Sequence, residues 1–146
     1  GVAVTSGTGS VTFDDTLPTL SNVDLSSNNA TTSLAIVGDV VTLQFEASET
    51  IQTPTVTFES GGNNITDSVS LSNSGNVFTA SYTTNTNDTI GSVTYSIAFA
   101  DSAGNNGVAV TSGSGTVTFD KTDPSLSNVD LSSNNADTTL AKAGDI

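Results

Sequence analysis

The chain has 146 residues, 34% hydrophobic and only 12% charged, and its 15 acidic residues against two lysines leave a formal net charge of −13. So few cations cannot neutralise a phosphate backbone or approach an anionic lipid surface, which excludes nucleic-acid binding and attachment through basic patches. The absence of Cys, Met, Trp and His removes disulfides, thiolate sites and most transition-metal chemistry, and no apolar run approaches the roughly 20 residues needed to cross a bilayer.

Valine and threonine alternating with polar residues, punctuated by Asn, Gly, Ser and Asp, predict strands and turns along the whole chain. A first strand is expected over residues 19–25, followed by the polar loop SSNNATTS and a second strand over 39–47 that places Val41, Leu43 and Phe45 on one face. Pro54 opens a third strand in which Val56 and Phe58 alternate with threonines, and Gly61-Gly62-Asn63-Asn64 closes it. A fourth strand is expected over 68–71, and Ser74-Gly75-Asn76 predicts a tight turn into a fifth over 77–83, with Phe78, Ala80 and Tyr82 in phase. The sixth, over 92–100, aligns Val93, Tyr95, Ile97 and Phe99; the seventh, over 108–119, carries SGSG in its middle, where a bulge or kink is predicted. Seven strands in about a hundred residues, with no helical period, predict an all-β, immunoglobulin-like antiparallel sandwich.

The chain also repeats itself. Residues 1–40 align without a gap to residues 107–146, with 30 identities in 40 positions at an offset of 106. A period of that length is a whole domain rather than a solenoid repeat. The expected organisation is therefore the last strand of a preceding unit over 1–13, a complete unit over 14–119, and a linker with the start of a following unit over 120–146. No secretion signal is read in the sequence, so any signal or anchor is expected elsewhere in a longer protein.

The strings FDDTLPTLSNVDLSSNNA, GDVVTLQFEASETIQTPTVTF and VTYSIAFADSAGNNG, with the Asp-x-Thr-x-Pro linkers at Asp14-Asp15-Thr16-Leu17-Pro18 and Asp120-Lys121-Thr122-Asp123-Pro124, resemble the bacterial Ig-like tandem repeats of large secreted adhesins and cell-surface proteins. The resemblance implies an extracellular or cell-surface location, neighbouring repeats of the same array as partners, and calcium at or near the junctions between units.

Topology leads to the same place independently. In an Ig-like order the linker, the loop after the second strand and the loop before the seventh share one end of the sandwich, which brings Asp14, Asp15, Glu46, Glu49, Asp101 and Asn105 together. Carboxylates so placed repel unless a cation sits among them, and an all-oxygen ligand set in irregular loops suits Ca²⁺, which takes about 6 to 8 oxygens. The alternative is that Asp15 and Asp101 cap turns while Glu46 is solvated on an outer face. At the other end, Asp120 and Asp123 begin the next linker, near the loop of Asp88 and the turn of Asp39. There the acids are rearranged, because Asp15 becomes Lys121 and Leu17 becomes Asp123.

Three sequons, at Asn29, Asn64 and Asn87, are candidate glycan acceptors, although a chain rich in Asn, Ser and Thr generates them by chance. Paired acids such as Asp14-Asp15 have no aromatic-lined pocket to serve, and no catalytic activity is expected. The expected function is that of a spacer in an extracellular array, rigidified by calcium. Two alternatives stand beside it: a glycan- or surface-binding module, and a filament in which copies of the chain donate terminal strands to one another.

Overall fold

In an amphipathic strand every second side chain points inward, so the most regular alternation belongs where a sheet is most deeply packed. That strand is β3 (Val40–Ala47), whose Val41, Leu43 and Phe45 are fully buried. It lies in a computed structural model that describes residues 9–146; residues 1–8 of the strand expected over 1–13 as the last of a preceding unit lie outside the described residues. The other strands are β1 (Leu20–Ser27), β2 (Leu34–Ala35), β4 (Thr55–Ser60), β5 (Asn63–Asn64), β6 (Ser70–Ser74), β7 (Val77–Thr83), β8 (Gly91–Ala98) and β9 (Val117–Phe119).

They form two sheets, ordered β1-β3-β7-β6 and β2-β9-β8-β4-β5. Among the described residues all pairings between these strands are antiparallel except β2 with β9. Leaving aside the two-residue strands β2 and β5, the seven remaining strands have the immunoglobulin order, four in one sheet and three in the other. The fold is an all-β, immunoglobulin-like sandwich.

The core lies between the sheets, built from the predicted alternations. Val41, Leu43 and Phe45 meet Phe78, Ala80 and Tyr82 of β7, and Val93, Tyr95, Ile97 and Phe99 close over them from the other sheet. Phe45 and Phe78 are direct cross-strand partners, with ring centroids 5.4 Å apart and nearly parallel planes. Phe58 and Tyr82 join the sheets at 5.0 Å. Such aromatic pairs contribute about 0.5–1.5 kcal/mol beyond the area they bury. Gly75, at φ 60°, supplies the positive φ at the first position of the two-residue turn between β6 and β7.

Three expectations are corrected. The antiparallel expectation fails past the polar loop, where the short strand β2 pairs parallel with β9. The fourth strand runs over Ser70–Ser74 rather than 68–71, because the Gly75 turn draws Ser74 into register with Val77. The seventh is a ladder only over Val117–Phe119. Before that, the chain touches β8 at Val110, then crosses to β1, where Ser114 bridges Asp24 and exchanges backbone hydrogen bonds with Val23 and Leu25. The crossing falls on the predicted SGSG kink. A Cβ on Gly113 would lie 2.4 Å from the Val23 carbonyl oxygen, and one on Gly115 would lie 2.1 Å from that of Leu25.

The two copies of the repeated sequence share a turn and one positive-φ position but not their strands or their packing. Asn22 and Asn128, at equivalent positions, both have positive φ, 51° and 55°. In both copies the SSNNA turn closes through the same bonds: Ser27 and Ser133 donate to the carbonyls of Leu34 and Leu140, and Asn29 and Asn135 to the carboxylates of Asp39 and Asp145. Yet Val117 and Phe119 are buried while their counterparts Val11 and Phe13 are 99% and 86% exposed. Likewise Val23 and Leu25 are buried, whereas Val129 and Leu131 are exposed.

Candidate metal centre

β3 and β8 both deliver their following loops to the end of the sandwich where the linker enters β1. Pro18 is buried there, and Thr19 and Ser48 exchange hydrogen bonds, Thr19 N–H to Ser48 Oγ at 3.0 Å and Ser48 N–H to the Thr19 carbonyl at 2.9 Å. The linker is thereby fixed against the loop after β3. Gln52 laces that loop to the next one, donating its backbone N–H to the Ala100 carbonyl and its side-chain amide to that of Asp101.

Carboxylate oxygens of Asp14, Glu49 and Asp101 lie within 4.8 Å of one another in this corner. Asp101 is 1% exposed and anchors its own loop. Its Oδ1 accepts the N–H groups of Gly104 at 2.7 Å and Asn105 at 2.8 Å, and its Oδ2 accepts the Asn105 side-chain amide at 2.8 Å. Burial by itself raises the Asp101 pKa, but the hydrogen bonds from the Asn105 side chain and from the backbone of Asn105, Gly104 and Ala103 outweigh it and hold the carboxyl below the ordinary Asp value. The group is therefore an anion at neutral pH. Asn105 also donates to the Asp14 carbonyl at 3.0 Å, while Asp14 Oδ1 accepts the Thr16 N–H at 3.0 Å.

A carboxylate accepts about four hydrogen bonds or their equivalent, so the four donors of its own loop leave Asp101 little free capacity. Asp14 and Glu49 are more open, and Asp14 is solvent-exposed. The donor set is all oxygen, and such hard donors suit a cation like Ca²⁺ better than Zn²⁺.

Of the residues singled out in sequence, the structure brings Asp14, Glu49, Asp101 and Asn105 together. Glu46 stands apart because, between the inward-facing Phe45 and Ala47, it points to the outer side of β3; there its Oε2 accepts the Asn22 amide at 2.8 Å. Asp15 is exposed and also outside the group. Asp101 does cap its turn as the alternative expected, and the same bonds orient it toward Asp14 and Glu49.

At the opposite end Asp120 accepts the Thr122 N–H at 2.8 Å and donates its own N–H to the Ala35 carbonyl. The backbone and side chain of Thr122 lower the pKa of this exposed carboxyl. Asp123 is exposed. Thr84 joins this end to the Asp39 turn, its N–H donating to the Asp39 carbonyl and its hydroxyl to those of Ile36 and Asp39. Asn64 and Asn87 are exposed, whereas the Asn29 amide is engaged by Asp39 at 2.8 Å.

No family model and no curated protein matches the sequence. Among solved structures, titin M4 in a trigonal crystal form is similar at 17% identity and a TM-score of 0.42, covering 75% of this chain and all of that one. The fold assignment rests on the strand order rather than on that likeness.

Sequence reasoning missed Lys121, whose ammonium donates to the carbonyls of Thr86 and Asp88, each at 2.8 Å. The available signal was the substitution itself, since one of only two cations in the chain replaces Asp15 of the other copy.

Proposed function

We propose that the chain is a stretch of a tandem array of Ig-like units, a non-catalytic extracellular spacer whose acidic junctions are stiffened by calcium. The observation that carries the reading is the fate of repeated apolar residues: Val117 and Phe119 are core, while the identical Val11 and Phe13 stand in solvent. A strand that buries these side chains in one copy has the same need in the other, and a neighbouring unit meets it. The complete unit then corresponds to residues 14–119, with residues 9–13 and 120–146 belonging to its neighbours.

Calcium enters because the linker carries Asp14 into contact range of Glu49 and Asp101, which belong to two different loops. A divalent cation there would tie linker to unit, remove hinge freedom and offset part of the −13 charge. Location outside the cell and an adhesin context are supported by the linker and strand strings that resemble bacterial surface repeats.

The test compares melting and small-angle scattering in calcium and in EDTA, on this chain and on a longer stretch holding two complete units. Calcium at about a hundred times its dissociation constant stabilises by about 2.7 kcal/mol, or roughly 10 °C for a domain of this size, and the two-unit stretch extends. Identical melting and scattering in both conditions overturn the calcium reading.

A further inference from the structure

The last strand of the unit lies in a slot defined on every side. Val117 and Phe119 pair with Val93 and Gly91 of β8, β2 flanks them in parallel, and Ser114 exchanges backbone hydrogen bonds with Val23 and Leu25 of β1. The slot demands a residue without a side chain at Gly115, where a Cβ would lie 2.1 Å from the Leu25 carbonyl oxygen, and inward apolar groups at Val117 and Phe119. A second segment of the chain meets the same demands. Residues 1–13 repeat residues 107–119 at 11 of 13 positions, the exceptions being Thr8 for Ser114 and Ser10 for Thr116, so that Gly9, Val11 and Phe13 correspond to Gly115, Val117 and Phe119. Where they stand, Val11 and Phe13 are exposed, and a Cβ on Gly9 would meet nothing within 4 Å.

That segment cannot enter the slot of its own chain. In the slot Phe13 would take the place of Phe119 beside Gly91, whereas the linker is docked at the other end of β8, where Pro18 and Phe99 line one hollow. Gly91 and Phe99 are eight residues apart on an extended chain, about 26 Å, while the five steps from Phe13 to Pro18 reach at most about 18 Å. We propose that the slot between β8 and β2 accepts residues 1–13 of a second copy of this chain in place of residues 107–119, so that copies exchange last strands. Main-chain pairing supplies the affinity and the small and apolar positions set the register, as in other strand-addition contacts and domain swaps. The tethered strand competes with an effective concentration on the order of 1 mM, so the unit keeps its own strand in dilute solution and yields it as chains crowd. The exchange needs only the repeat and the slot, and holds whether or not calcium stiffens the junctions.

The experiment sets a disulfide trap in a chain that has no cysteine of its own. Ser92 and Thr118 are exposed cross-strand partners, and Thr12 is the counterpart of Thr118. The whole chain carrying Ser92→Cys and Thr12→Cys is oxidised with diamide and run on a non-reducing gel, where a disulfide-linked dimer reports the donated strand. Adding Gly115→Val displaces the resident strand, and at a chain concentration of roughly 0.1 mM the dimer is expected to rise about tenfold, the ratio of the tethered strand's effective concentration to that of the chain. Gly9→Val is the discriminating change, because its side chain is free of contacts where the segment stands and would strike the Leu25 carbonyl of the receiving copy. It is expected to return the dimer to the level of a chain carrying Ser92→Cys alone. The trap chain without Gly115→Val keeps the test open if that substitution prevents folding. Dimer as abundant with Gly9→Val as without it, or no dimer above the Ser92→Cys level, overturns the proposal.

Discussion

The side-chain amide of Asn105 reaches a residue 91 positions earlier, donating to the Asp14 carbonyl at 3.0 Å while also holding Asp101 Oδ2 at 2.8 Å. One small polar side chain thus couples the entering linker to the carboxylate that organises its neighbouring loop. Replacing Asn105 with Ala removes both bonds and frees the Asp14 linker from the Asp101 loop. The expected result is a melting temperature lower by roughly 3–6 °C and a linker that exchanges its amides faster from Asp14 to Thr16. A melting curve that overlays the wild type would mean that linker docking at this end depends on Pro18 and Ser48 alone.

Acid should act in part through Asp101. Its folded-state pKa lies below the ordinary value of 3.8, because the Asn105, Gly104 and Ala103 donors prefer the anion and outweigh the effect of burial. A carboxyl so depressed contributes stability that is complete above the ordinary value and is lost as the pH falls below it, through the lower folded value. Stability is therefore expected to be level from neutrality to about pH 5 and to fall steeply below about pH 4. Asp101→Asn should lower the neutral-pH melting temperature and flatten that acid limb. Parallel acid limbs for variant and wild type would move the effect to other carboxylates, such as Asp120, whose pKa is lowered by its bonds from Thr122.

Much of this architecture was legible in local pattern, and the exceptions share one cause. The strands β3, β7 and β8 follow from alternations such as Val41, Leu43 and Phe45, which read correctly without knowledge of partners because one face of each is wholly buried. The SSNNA turn is also local, forming the same bonds in packed and unpacked copies. By contrast, β2 is two residues long and exists through parallel pairing with β9, some eighty residues later. Glu46 left the acidic corner because period two turns it outward, a consequence masked in sequence by its closeness to Glu49. The Lys121 bonds to the Thr86 and Asp88 carbonyls depend on the path of the linker after Phe119, which no periodicity encodes.

The SGSG segment shows where a sequence signal becomes a geometric requirement. Gly115 has φ 72°, and a Cβ there would approach the Leu25 carbonyl oxygen to 2.1 Å, at the point where the chain leaves β8 to bond β1. Gly62 also has positive φ, 79°, but nothing lies within 4 Å of the Cβ position. Alanine at Gly62 therefore costs only backbone strain, about 1 kcal/mol, whereas alanine at Gly115 adds a collision with main chain that side-chain rotation cannot relieve, for about 2–4 kcal/mol in all. Urea denaturation of the two variants separates the terms. Equal losses would mean that β1 yields to the new methyl group and that the crossing tolerates a wider gap than its hydrogen bonds from Ser114 and Leu25 imply.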